Sequence, residues 1–150
     1  MTQEHPNVAL MQQLEPNYTD SNPNLFAENF IWRFFNPEAA NLFAEDFVWH
    51  FFNDKLPNVR GDYHGLKGLQ TFFEKIEVVT GGTFRVEPVS AIPIGDELVV
   101  THVKDKMVLQ NKAIALDVVV VWRIVNGNVI EAWDIPSIYT EQSQTNGSSD

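Results

Sequence analysis

From Thr83 to Pro136 the chain reads as four strand-like segments joined by stretches too short to hold a helix. The segments are TFRVEPVSAIPI, ELVVTHVKDKMVLQ, AIALDVVVVWRIV and NVIEAWDIP, and the joints are IGDE, QNKA and VNGN. A crossover between parallel strands needs a dozen or more residues, so joints of this size make consecutive segments pair antiparallel, as hairpins. An antiparallel meander therefore fills the C-terminal part of the fold.

Upstream the apolar period changes. GLKGLQTFFEKIEVVT puts Leu66, Leu69, Phe72, Phe73 and Ile76 on one helical face, after the glycine turns of GDYHG. HPNVALMQQLEP reads as a short helix, with Pro6 in its first turn and an apolar stripe of Val8, Leu10, Met11 and Leu14. Helices first and a meander second predict an α+β fold, with helices covering one face of a curved antiparallel sheet.

Between these parts an aromatic phrase occurs twice. NLFAENFIWRFFN (24–36) returns as NLFAEDFVWHFFN (41–53), with ten of thirteen positions identical at an offset of 41 − 24 = 17 residues. The first copy has helical spacing and lies between Pro23 and Pro37. The second predicts a short helix through PEAANLFAEDF and then a strand, FVWHFF, closed by the turn formers of NDKLPN. Two copies are too few for a solenoid, so one phrase serves two structural roles. The first copy is read as a helix, against the rival reading of an edge strand; as a lid helix it would narrow a pocket with Phe30 and Phe34.

A chain of 150 residues suits one domain, read as 1–139, with the polar stretch 140–150 as a disordered tail. A net charge of −10 without a basic run argues against nucleic acid and anionic membranes as partners. The lack of cysteine removes disulfides and thiolate chemistry. The histidines are scattered without metal-ligand spacing, and no phosphate loop is present, so neither a metal nor a cofactor is expected. MTQEHPNVAL lacks the order of a signal peptide and no apolar run would span a bilayer, which makes a cytoplasmic protein the default.

Aromatics make up 12% of the chain, more than a minimal core uses, which points to a lined cavity or an apolar partner surface. Trp49, Tyr63, Phe72 and Trp122, with Phe30 and Phe34, are the candidate lining for a small, flat hydrophobic molecule. Alternation along NVIEAWDIP puts Ile130, Ala132 and Asp134 on one face and Val129, Glu131 and Trp133 on the other. An acid on the apolar side would be desolvated and tuned towards proton transfer, or would bond backbone at the strand exit before Pro136. His50 alternates with Val48 and Phe52 as a base or hydrogen-bond donor, or as a satisfied core histidine. His102 would face Asp134 across neighbouring strands as its orienting partner, or stand exposed in mid-sheet.

The stretches NLFAEDFVWHFF, GDYHGLKGLQTFFEKI, ELVVTHVKDK and VVVVWRIVNGNVIEAWDIPS resemble the SnoaL-like polyketide cyclase group of the nuclear transport factor 2-like superfamily, over Asn41 to Ser137. The resemblance implies an α+β cone, a bent sheet around helices with a pocket at its open end. It implies a homodimer through the outer sheet face, and for Asp134 the acid/base role of the polyketide cyclases. Phe51 stands where ketosteroid isomerases carry their base aspartate, which argues against an isomerase of that type. Three readings stay open: a cofactor-free cyclase, isomerase or dehydratase; a non-catalytic binding module; and a structural dimeric domain.

Overall fold

The computed structural model describes residues 5–14, 37–138 and 142–143. Helix α1 spans Pro6–Leu14, and a 3-10 turn at Pro37–Leu42 leads into β1, Phe43–Phe51. β2 (Gly61–His64) is followed by α2 (Gly65–Thr80). The remaining strands are β3 (Arg85–Ile94), β4 (Leu98–Leu109), β5 (Lys112–Val125), β6 (Asn128–Pro136) and β7 (Gln142–Ser143).

The sheet runs β2-β1-β6-β5-β4-β3, with β7 paired to β5. β3 to β6 form the antiparallel meander that the short joints require, and residues with positive φ sit at those joints: Gly95, Asn111, Asn126 and Gly127. β1 then joins β6 in parallel, which is possible because the rest of the chain separates them. The mixed α+β architecture, helices on one side of a curved sheet, is that expected from the order of periods.

Helix α2 buries Leu69, Phe72, Phe73, Ile76 and Thr80, an i, i+3, i+4, i+7, i+11 stripe. Its packing on β2 is close: a Cβ at Gly68 would stand 3.0 Å from the Tyr63 carbonyl carbon. Gly81 ends the helix in the left-handed region at φ 63°, where a side chain would be strained. Phe72 is the hub of the core, with ring centroids 4.8 Å from Phe51, 4.9 Å from Phe73 and 5.3 Å from Tyr63. Helix α1 caps β3 and β4 through Val8, Leu10, Met11 and Leu14, and Asn7 Nδ2 donates to the Asp96 carbonyl at 3.0 Å.

Three local expectations need correction. The second aromatic copy is strand from Phe43, not from Phe47, because Phe43, Phe47, Trp49 and Phe51 all bury on one side at even spacing. GDYH is a strand rather than a turn, paired to β1 from Val48 to Phe51. In β6, Arg123 pairs with Glu131 and Ile124 with Val129, so Ile130 is an extra, bulged residue. Val129 therefore faces inward with Ala132, both 0% exposed, instead of outward with Glu131. The first aromatic copy, with Phe30, Trp32 and Phe34, lies outside the described residues. Of the stretch 140–150, Gln142–Ser143 pair with Ile114 and Ala115; the rest is also outside. Among the described residues no helix is long and apolar enough to cross a membrane.

Candidate functional site

A cavity of about 250 Å³ lies between the inner sheet face, α1 and α2. Leu14, Phe73, Phe84, Val103, Val118 and Val120 give it apolar walls. Trp49 on β1 and Trp122 on β5 also line it, in edge contact at 5.6 Å. Both flank Ala132, which pairs with each of them and is small enough to let the two indoles meet over it.

Two carboxyl groups interrupt this lining. Asp134 on β6 is 7% exposed and Asp105 on β4 is 9% exposed. Both also border a second cavity of about 50 Å³, which Asn53, Phe72 and Thr80 help to line, so the acids stand between two spaces. No opposite charge among the described residues offsets either one. Burial disfavours the ionised form and pushes Asp134 up to about 7. Burial, and then the charge of Asp134, hold Asp105 well above the ordinary carboxyl range. Two carboxyls raised by burial thus share one apolar space and titrate as a coupled pair.

Two buried polar atoms of this wall have no hydrogen-bond partner among the described residues: Asp134 Oδ1 and Trp49 Nε1. Trp122 differs from Trp49 in this respect. Its Nε1 donates to Thr101 Oγ1 at 2.9 Å, and that hydroxyl donates to the Val120 carbonyl at 3.3 Å.

The two candidate histidines are placed differently: His102 lines the same cavity as the two acids, and His50 does not. His50 lies on the outer side of β1, opposite in phase to Phe47, Trp49 and Phe51. Its Nδ1 meets Asp62 at 2.6 Å, its Nε2 meets Glu131 at 2.7 Å, and its ring stacks on Trp133 at 5.5 Å. Burial opposes its charge, but the bonds to Asp62 and Glu131 outweigh it and raise the imidazole above 6.5. His102 shares the cavity-lining part of β4, yet its Nε2 bonds Asp117 at 2.8 Å, and Asp117 alternates with the inward Leu116 and Val118. That bond is the first cause holding the Asp117 carboxyl below its usual range.

Of the aromatic candidates, Trp49 and Trp122 line the larger cavity and Phe72 the smaller one. Tyr63 lines neither; it is buried in β2, its hydroxyl donating to the Val59 carbonyl and accepting from Lys75 Nζ at 3.3 Å. Asp105 is not among the residues singled out by sequence, although alternation carries its signal: Val99, Thr101, Val103, Asp105 and Met107 share one face. No group of three metal-ligating side chains occurs among the described residues.

Residues 36–132 match the model of the SnoaL-like domain. No curated protein matches the chain. Among solved structures, TerC co-crystallised with polyporic acid shares 22% identity, over 66% of this chain and 76% of that one, with a TM-score of 0.57. An NTF2-like protein from Anabaena variabilis shares 14%, over 91% and 94% of the two chains, at a TM-score of 0.61. A protein with a ketosteroid isomerase-like fold from Catenulispora acidiphila, in complex with trimethylamine, shares 13% over 87% and 85%, at 0.57. At these identities the likeness is one of fold.

Proposed function

The chain belongs to the SnoaL-like domain family, and from that premise we propose that its cavity binds a small hydrophobic molecule and that Asp134 moves a proton on it. The reaction class is that of a cofactor-free cyclase, isomerase or dehydratase. One observation carries the reading: Asp134 is a buried carboxyl in an aromatic wall, with an unpaired oxygen and no counter-cation among the described residues. Asp105 is its acid partner in this scheme, since two like charges in one dry space do not both ionise readily. Apolar walls strengthen the polar contacts they surround. Structures of the same fold are described with polyporic acid and with trimethylamine, which fits a scaffold that accepts small organic molecules.

Carboxyl-carbon NMR of Asp134, free and with a panel of flat hydrophobic ketones, tests the reading. A raised pKa that shifts with ligand, and ketone α-proton exchange lost in Asp134→Asn, are expected. Ligand-dependent titration without turnover would reduce the site to a binding module. A titration that no ligand disturbs would remove the reading altogether.

A further inference from the structure

Two indoles meet edge-on in the cavity wall, and only one of them has its N–H engaged. Trp122 is held by Thr101, whereas Trp49 is 3% exposed and its Nε1 has no partner among the described residues. A buried N–H left unpaired is costly, so its retention points to a partner that arrives from outside the protein. The unpaired acceptor in the same wall is Asp134 Oδ1. The two residues are diagonal neighbours on adjacent strands: Trp49 pairs with Ala132, and Phe51, two residues on, pairs with Asp134. An indole N–H can only donate, while an ionised carboxylate can only accept. A ligand that completes both must present a hydrogen-bond acceptor to Trp49 and an acidic hydrogen to Asp134, a short distance apart.

We propose that Trp49 is a second catalytic residue, its indole N–H holding the oxygen of a neutral carbonyl compound whose neighbouring C–H faces Asp134. The proposal rests on the reading of Asp134 as the base and names the substrate class of that site. In the step, the Asp134 carboxylate takes the α-proton, and the C–H electron pair becomes the C=C bond. The carbonyl π pair moves onto oxygen, where the Trp49 N–H stabilises the enolate. Return of the proton to carbon restores the carbonyl, and in D2O the returning nucleus is a deuteron. Charge develops on the oxygen only as the proton leaves, so a donor fixed beforehand at that point favours the transition state over the ground state.

Two probes of similar shape separate the possibilities: 2-acetylnaphthalene, which has the carbonyl, and 2-ethylnaphthalene, which lacks it. The four tryptophans give four indole N–H resonances, and Trp49→Phe assigns the relevant one. On wild-type protein, 2-acetylnaphthalene is expected to move the Trp49 N–H downfield, while 2-ethylnaphthalene leaves it nearly in place. Trp49→Phe is expected to weaken binding of the ketone by roughly 2- to 10-fold, as for one hydrogen bond, and to leave the hydrocarbon unchanged. Deuterium uptake at the ketone methyl is expected to fall roughly 100- to 1000-fold in Trp49→Phe, as for loss of one oxyanion donor.

If the ketone binds and exchanges in an Asp134-dependent way but the Trp49 resonance stays put, the proposal falls and the reading of Asp134 stands. It falls in the same way if that resonance tracks the titration of Asp134 in the free protein and ignores the ketone, since Trp49 would then serve the carboxylate alone. If neither probe binds, the cavity reading falls and this proposal goes with it.

Discussion

Asp105 and Asp134 reach the same enclosed space from β4 and β6, and the charge of Asp134 helps to hold Asp105 in its neutral form. β5 lies between their strands, so neither is the other's ladder partner; they meet across the concave side of the sheet. Replacing Asp134 by Asn is expected to lower the pKa of Asp105, which stays above the ordinary carboxyl range because its burial remains. Carboxyl-carbon NMR of the variant checks this, and an unchanged Asp105 titration would deny the coupling.

The same pair fixes the sign of a stability change with pH. Asp134 has its folded pKa raised from 3.8 to about 7, so the folded state binds more protons than the unfolded one across that window. Stability is therefore expected to fall as pH rises from about 4 to 7, and Asp105, raised as well, carries the fall further in the same direction as it ionises. Asp134→Asn should flatten this slope and be the more stable protein at pH 8, by up to about 4 kcal/mol before the cost of burying the amide. Urea unfolding across the pH range measures it; a wild type more stable at pH 8 than at pH 5 would contradict the assignment.

On the outer face a raised pKa has a different cause, attraction rather than burial. His50 is held up by Asp62 and Glu131 against the effect of desolvation. Its stabilising contribution is complete below about 6.5 and is lost as pH rises through the folded value. Glu131→Gln is expected to lower the His50 pKa towards 6.5 and to narrow the pH range of that contribution. Imidazole NMR titration reads the first effect directly.

Thr101→Val keeps the shape of the side chain and removes the acceptor of the Trp122 N–H. A loss of about 1–3 kcal/mol is expected from stranding a buried donor, seen as a lower Tm. An unaltered Tm would mean that the indole finds water instead.

A homodimer through the outer sheet face is the assembly we propose. Val119 and Ile135 face each other on β5 and β6 at 38% and 45% exposure, apolar groups in the middle of a sheet. Val119→Lys is expected to convert dimers to monomers in sedimentation velocity runs. A monomeric wild type would remove the dimer.

The parts of this fold that are legible in the sequence are those set by local rules. Short joints dictate hairpins, and the helical stripe of α2 is visible in Leu69, Phe72, Phe73 and Ile76. Asp134 can be put on the apolar side because Ala132 precedes it by one period. His50 and His102 cannot be assigned a side, since apolar residues flank them on both phases and alternation does not say which phase meets the helices. Asp105 is hidden for a different reason. It stands between Lys104 and Lys106, and the run KDK looks like a solvated edge until the lysines are seen pairing outward, Lys106 with Glu87 at 2.8 Å and Lys104 with Asp117 at 3.7 Å. GDYH passes for a turn because Gly61 opens, and Gly65 follows, a strand of only four residues.

The bulge at Ile130 separates two stretches of β6 that alternation alone would lock together. Without it, the facing of the hairpin at Asn126–Gly127 and the facing of Asp134 would be one decision, and inserting or deleting a single residue in the hairpin would rotate the acid out to the solvent side. With an extra residue already absorbed between them, the hairpin can be remodelled or shortened while the acid keeps its orientation.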